Sequence, residues 1–550
     1  MQEPKIATAV SERTGNILSF ARRSTRTRVR TDLAHIVVAL LGALAVTWYL
    51  WGTLVHAYWW ILDDYRWVLL MADHGRLPFM EMFAQFNPSD WYLGSPVNRP
   101  TYYVVHAIWC FVLGDNPTLW YVARISCFWI AASAFWYALS GRIGHILAGL
   151  VTFRLAAQPF WVDIVPRSGS EMFAAAGSAV LLAGISLLLE PGRLTWRLPL
   201  SARRTIAASS CVLAGGLTAI GSKENFTVLI FGAVACLLVL STLAKHPRLL
   251  IHAYAVVLMW GAVILYFIYK GELSRGVDLY NVSISQRMSL ISRSLLEFNI
   301  PLVLLVLYVG SAILAFVVQR QSGKRLFTNV TPLLVVAVIQ LYLVLARAFL
   351  YVFYNGAVVK TDRYAFPYAI IPMLSLVLLL VLLRELDVAG VWAEGARKNI
   401  GWVAACGLVA LLLGTGVPAG RAEAARYTEA TLAFKAGLER TAAALRPDPT
   451  KPLLFRSFAP SDMESLASVA EYLRVAGIRN QFYLSIVGYD RAPDKPPTVQ
   501  MLLGLTMGMV GPGRTFLLES ELPPGRDPTV IVFSAPEQRP PALASFNASF

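Results

Sequence analysis

The chain has 550 residues, 56% of them hydrophobic and 15% charged, with a mean hydropathy of +0.56. That balance excludes a soluble globular protein and a disordered one, and describes a polytopic membrane protein. The formal net charge of +15 does not point to nucleic acid, because the basic residues fall in short connections between apolar runs rather than along one soluble face.

Residues 1–34 are polar and carry Arg13, Arg22, Arg23, Arg26, Arg28 and Arg30. No small-residue cleavage site follows a short apolar core, so the first apolar run is an anchor, and its basic flank places the N-terminus in the cytoplasm. Runs near the ~20 residues needed to cross a ~30 Å hydrocarbon layer are predicted at 36–62, 118–139, 145–162, 171–189, 205–221, 225–243, 249–269, 300–319, 327–348, 364–383 and 400–416. The predicted fold is an all-α polytopic membrane domain of about eleven transmembrane helices over 35–418, followed by a small extracytoplasmic α/β domain over 419–550. The segment 101–113 is apolar but short for a crossing and is assigned to a helix in the outer interface, within a first outer connection of 63–117.

Every second connection is then cytoplasmic and basic. These connections hold Arg142; Arg193, Arg197, Arg203 and Arg204; Lys245 and Arg248; Arg320, Lys324 and Arg325; and Arg384, Arg397 and Lys398. The opposite connections contain four polar clusters: Asp63-Asp64, the stretch 163–171, Ser222-Lys223-Glu224 and Asp362-Arg363-Tyr364. Ionisable residues at the edge of a bilayer are costly and mark chemistry.

Beyond Arg421 the polarity is mixed. Short strands are predicted at 452–455, 482–487 and 529–533, and a helix at 462–475. The five cysteines, Cys110, Cys127, Cys211, Cys236 and Cys406, all lie in apolar segments, with neither a disulfide framework nor zinc spacing. The glycines of 216–223 have the spacing of a phosphate loop, but the order is Gly-Ser-Lys and no strand precedes it, so a nucleotide site is excluded. Trp48 to Trp60 and Trp129 to Trp136 read as interfacial aromatic belts.

One order of short motifs runs through the chain. It begins with Asp63-Asp64-Tyr65-Arg66-Trp67, Gly75, and Asn98-Arg99-Pro100 before an aromatic apolar helix, then Gly114 and Arg124. It continues with Gly169-Ser170-Glu171, Gly221-Ser222-Lys223 and Arg363-Tyr364-Ala365-Phe366-Pro367. This order resembles the class C (GT-C) glycosyltransferases, in particular the aminoarabinose lipid A transferase and protein O-mannosyltransferase group, over roughly the first 380 residues. The acidic pair is Asp-Asp where Asp-Glu is common in those families, and Glu171 stands where Asp is more usual.

The resemblance implies a glycosyltransferase of the bacterial inner membrane that moves a sugar from a polyprenyl-phosphate donor to an acceptor hydroxyl on the periplasmic face. The acceptor would be a glycan, glycolipid or protein of the cell envelope. It implies Asp63 as general base, and Arg99, Lys223 and Arg363 as the cations that bind the donor phosphate. A carboxylate suits the first task, since the attacking hydroxyl must lose its proton and a half-desolvated site raises a carboxyl pKa toward working pH. Cations suit the second, through charge-assisted hydrogen bonds to the departing phosphate.

Asp64 is placed to orient the acceptor or to hold Arg66, and Arg66, Asp163, Glu171, Glu224 and Tyr364 are candidate substrate contacts. Several carboxylates at one mouth would also suit a hard divalent cation, but the basic residues suffice and no cofactor is expected. Each residue has a plainer role too. The acidic pair and Glu171 can favour helix starts, the cations can snorkel to water, and Lys223 with Glu224, or Arg363 with Asp362, can simply pair. A lipid-linked glycan flippase or secondary transporter shares the composition. Such proteins place charges near the midplane and repeat a half-chain, whereas here the clusters sit at span ends and no internal repeat is visible.

Overall fold

In the computed structural model the described residues are 33–60, 64–72, 75–76, 99–167, 169–190, 196–275, 417–457, 463–486 and 516–533, with isolated positions between 285 and 410 and at 548–549. Among the described residues, five helices are long and apolar enough to cross a membrane: Leu33–His56, Pro117–Ile143, Glu171–Leu188, Phe226–Leu243 and Arg248–Ile268. The protein is mostly helical and carries apolar membrane-spanning helices. The predicted spans from 300 to 416 lie outside the described residues apart from isolated helical positions.

The membrane layer comprises α1 (Leu33–His56, its last turn a 3-10 helix), α2 (Tyr65–Met71), α3 (Pro100–Leu113), α4 (Pro117–Ile143), α5 (His145–Ala156), α6 (Glu171–Leu188), α7 (Ala202–Ile220), α8 (Glu224–Leu243) and α9 (Arg248–Arg275). Proline at the first turn starts α3 and α4, where its missing N–H has no intrahelical partner to lose. The Asn116 side chain caps α4 by accepting from Leu119 N–H, and Ser201 caps α7 by accepting from Arg204 N–H.

The third predicted span, 145–162, is corrected. Helix α5 ends at Ala156, and a 3-10 turn, Pro159–Asp163, follows. Proline disfavours helical backbone at the residue before it, and Gln158 is extended, with φ −69° and ψ 135°. At 1.5 Å per residue the helix is roughly 18 Å long, short of a bilayer core.

Polar contacts at the helix ends order the layer. The Arg124 guanidinium, near the start of α4, donates to Pro166 O just before α6, while Arg142 at the far end of α4 donates to Ser186 O at 2.8 Å and to Glu190 O at 2.5 Å. Helices α4 and α6 therefore run parallel. Helix α7 returns antiparallel, with Gly177 against Gly215 and Ala219, and Gly184 against Ala208 and Cys211. The start of α3 joins the end of α7 through Thr101 N–H to Gly221 O, 2.8 Å. Asp64, the stretch 163–171 and Ser222-Lys223 thus share one end of the layer. Arg142, Glu190, Trp196 and His246 occupy the other, where the Trp196 and His246 rings meet at 4.9 Å. The cluster at 362–364 lies outside the described residues.

The C-terminal region comprises α10 (Val417–Leu445), β1 (Leu453–Ser457), α11 (Met463–Val475), β2 (Phe482–Ile486), β3 (Leu517–Leu518), β4 (Thr529–Phe533) and β5 (Ala548–Ser549). The strands form one sheet in the order β3-β2-β1-β4-β5, parallel except for antiparallel β5. The three principal strands and α11 match the sequence reading to within two residues at each end. Central β1 is buried on both faces, as a parallel strand covered by helices should be, and Phe455 meets Phe482 and Phe516 edge to face and Phe533 in a tilted arrangement.

The boundary expected at 418/419 falls in the first turn of α10, and one apolar core runs from Leu50, Trp51 and Trp60 through Tyr121 and Phe160 to Tyr427, Phe434, Leu473 and Phe533. Part of the predicted aromatic belt therefore belongs to the interior. Trp51, Trp59 and Trp60 are buried, because α4 and α10 cover them, whereas Trp48 is 58% exposed.

Close helix contact explains the glycines of α7. A Cβ at Gly215 would stand 2.6 Å from Gly177 O, and one at Gly177 would stand 2.6 Å from Ala219 N. These glycines serve helix packing, and Gly216 faces Val257 of α9. Replacing Gly215 with Val should destabilise the detergent-solubilised protein by about 1–3 kcal/mol through overpacking. Gly141→Ala, where a Cβ meets nothing within 4 Å, should leave the melting temperature unchanged or raise it slightly, and paired thermal melts check both.

Candidate functional site

The site is built where the chain leaves α1. Residues 57–60 form neither helix nor strand, and Asp64 then precedes the short helix α2. The Asp64 carboxylate is completely buried and the Arg124 guanidinium is 2% exposed. Asp64 Oδ1 accepts from Arg124 Nη2 at 2.7 Å, and Oδ2 accepts from Nη1 at 3.4 Å and from Trp60 N–H at 2.9 Å. Arg124 also lies over the Tyr121 ring at 5.0 Å and the Trp120 ring at 5.6 Å. A buried ion pair survives only when its remaining polar atoms are satisfied. The Trp60 amide and the Pro166 carbonyl meet part of that need, with the rings adding cation–π attraction.

A second buried pair lies at the same end. Lys223, the residue before α8, places Nζ 2.9 Å from Oε1 of Glu171, the first residue of α6, and both side chains are 5% exposed. A third pair, Arg167 to Asp163 at 2.9 Å, lies in the connection between them, more open on the carboxylate side. Arg99 is the residue just before α3, two residues from the Thr101 N–H that binds Gly221 O, and so its backbone stands near the turn that carries Ser222 and Lys223.

Gly114 joins α3 to α4 with φ +62°, a backbone that side-chain-bearing residues rarely adopt, and its carbonyl accepts from Trp120 Nε1 at 2.7 Å. The adjoining Asp115 N–H donates to Gly75 O at 2.8 Å. His106 is buried in an aromatic box. It stacks on Trp67 at 4.5 Å and has Nδ1 2.9 Å from Tyr102 O, with Trp109, Trp120 and Phe173 around it.

Among the candidates, the structure therefore brings Asp64, Asp163, Glu171, Lys223 and Arg99 to one end of the helix layer. Asp63, Arg363 and Tyr364 lie outside the described residues, and Arg66 and Glu224 stand on described helices with side chains outside the description. Sequence reasoning pairs Asp64 with Arg66 or with the acceptor. Arg124, 60 residues along the chain, fills that place and leaves the Asp64 side chain no exposed surface. Lys223 pairs with Glu171, where local reasoning offers its neighbour Glu224.

Tyr121, Tyr427, Tyr472 and Thr431 carry no local signal in the sequence, yet they surround the acidic segment. Tyr121 OH donates to Tyr58 O at 2.6 Å and lies 3.3 Å from Tyr427 OH, and Tyr472 OH donates to Trp60 O at 2.6 Å. Burial pushes the Tyr427 and Tyr472 hydroxyls well above the ordinary phenol range, and the charge of Asp64 adds to the shift. Both remain protonated through the physiological range and able to donate. Among the described residues no three His, Cys, Asp or Glu side chains gather as a metal set.

Removing one partner of a buried pair strands the other charge. Arg124→Ala should cost about 3–5 kcal/mol of stability. Arg124→Lys should recover only part of that, because an ammonium cannot span both Asp64 oxygens and the Pro166 carbonyl. Asp64→Asn combined with Arg124→Met should lie closer to wild type than either single change, and thermal melts of the five variants check the order.

No protein-family model and no curated protein matches this chain. Among solved structures, the crystal structure of ArnT from Cupriavidus metallidurans bound to undecaprenyl phosphate is similar to it, with 15% sequence identity and a TM-score of 0.40, over 90% of this chain and 93% of that one.

Proposed function

We propose that the protein is a membrane glycosyltransferase of the class C type, moving a sugar from a polyprenyl-phosphate donor to an acceptor hydroxyl at the outer face of the membrane. The observation that carries this reading is the meeting of three acid–base pairs, Asp64–Arg124, Asp163–Arg167 and Glu171–Lys223, at one end of an apolar helix layer. They are contributed by segments that follow the motif order of that class. A transporter would instead place such groups near the midplane.

The pairing of Asp64 supports one division of roles. Asp64 has both oxygens engaged by Arg124 and the Trp60 amide, so its carboxylate is a fixture. The adjoining Asp63 is the carboxylate left for proton removal from the acceptor as its oxygen attacks the anomeric carbon. The sugar–phosphate bond breaks in the same step, and the negative charge grows on a lipid phosphate. Arg99, Lys223 and Arg363 are the cations assigned to it. Lys223 reaches the phosphate by exchanging its contact with Glu171, which then holds the ammonium in place between turnovers. Asp163, Glu171, Arg66, Glu224 and Tyr364 are assigned to sugar and acceptor hydroxyls. The cations supply the charge that a divalent metal would otherwise bring.

The test is transfer from radiolabelled polyprenyl-phosphate sugars by purified protein with membrane extract as acceptor. Asp63→Asn should lower kcat by about 10²–10⁴-fold, the contribution typical of a general base, with donor affinity retained. Lys223→Gln should raise the KM for the donor. Undiminished transfer by Asp63→Asn removes that residue as the base, and donor movement across liposomes without transfer replaces the reading by a flippase.

A further inference from the structure

We infer that Thr431 and Tyr472, from the C-terminal region, are positioning residues for the reaction: they hold the irregular segment 57–60 that precedes the acidic pair in the sequence. This rests on the reading of Asp63 as the base. Backbone N–H and C=O groups buried outside helix or sheet need partners from elsewhere, and this segment draws them from distant parts of the chain. Tyr58 N–H donates to Thr431 Oγ1 at 3.0 Å and Tyr58 O accepts from Tyr121 OH at 2.6 Å. Trp60 O accepts from Tyr472 OH at 2.6 Å, while the Trp60 ring stacks on Tyr427 at 4.4 Å. One step upstream, Thr428 Oγ1 donates to Thr53 O at 3.3 Å.

The consequence concerns placement. Trp60 is held by the C-terminal region, and Asp64 is held by Arg124 and by the Trp60 amide. In the sequence Asp63 adjoins Asp64 and lies three residues after Trp60, between two positions that are held. The sheet and its helices are thereby a structural part of the catalytic end of the membrane layer. Thr431 and Tyr472 touch neither donor nor acceptor in this account; they act through the backbone of Tyr58 and Trp60.

The experiment uses the full chain and near-isosteric variants that delete the bonds to this segment; Thr431→Val also removes the donation from Thr431 Oγ1 to Thr428 O, at 2.9 Å within α10. In Thr431→Val and Tyr472→Phe, amide hydrogen exchange in peptides covering 57–64 should rise while exchange in α6 to α9 stays at the wild-type rate. Turnover should fall about tenfold or more with the donor KM unchanged, since small misplacements of a reacting group act on the chemical step. Thr431→Ser, which keeps the acceptor oxygen, should restore both.

Unchanged exchange at 57–64 overturns the inference, as does faster exchange there with full turnover. Exchange that rises equally throughout the helix layer overturns it too, by showing general destabilisation. A wild-type protein that transfers no sugar from any polyprenyl-phosphate donor sinks the functional reading instead, and the exchange measurement still decides whether these side chains hold the segment.

Discussion

The buried pair between Asp64 and Arg124 is the constraint on which the arrangement of this end of the protein depends. Asp64 follows α1 and Arg124 lies in the second turn of α4, so their contact fixes the first long helix against the next. The same guanidinium reaches Pro166 and so fixes the approach to α6. Neither charge could remain in an apolar interior without the other. The pair contributes specificity of arrangement: a register error in any of the three segments would leave a charge stranded, and the cost of that selects one assembly.

From that fixed point the remaining polar groups fall into place. Helix α6 begins with Glu171 beside the pair, and its close antiparallel contact with α7 through Gly177 and Gly215 carries the end of α7 to the same level. Lys223 therefore meets Glu171, and Gly221 meets the start of α3, where Arg99 stands. Two kinds of force share the work. Small residues let backbones approach where lipid offers no hydrophobic gain, and ion pairs at the ends determine which helices meet. The C-terminal sheet closes this end through a shared aromatic core, with Trp60 on Tyr427 as the seam.

Much of this was legible in the residues. Apolar runs of crossing length gave the helices, and the alternation of basic and mixed connections put Asp64, 163–171 and 222–223 together, as the end contacts have them. Alternating strands of Val, Ile, Leu and Phe with an amphipathic helix between them gave the α/β region. Three things were hidden, each for a physical reason. Pro159 shortened α5, where hydropathy alone continued to 162. The partners of Asp64 and Lys223 lie 60 and 52 residues away along the chain, beyond any local pairing rule. The hydroxyls of Thr431 and Tyr472 act on backbone more than 360 residues distant, and the Tyr427 ring stacks on Trp60 from equally far along the chain, which no pattern within one segment can reveal.

The central claim is that one end of the helix layer, marked by Arg99, Glu171 and Lys223, receives the phosphate of a polyprenyl lipid. Photocrosslinking with a polyprenyl phosphate carrying a photoreactive group next to the phosphate, followed by peptide mapping, tests it most directly. The account predicts adducts in the peptides around 99–103, 167–171 and 221–226, lost when undecaprenyl phosphate competes. Adducts concentrated instead at the opposite end, around Arg142, Glu190 and His246, would contradict it.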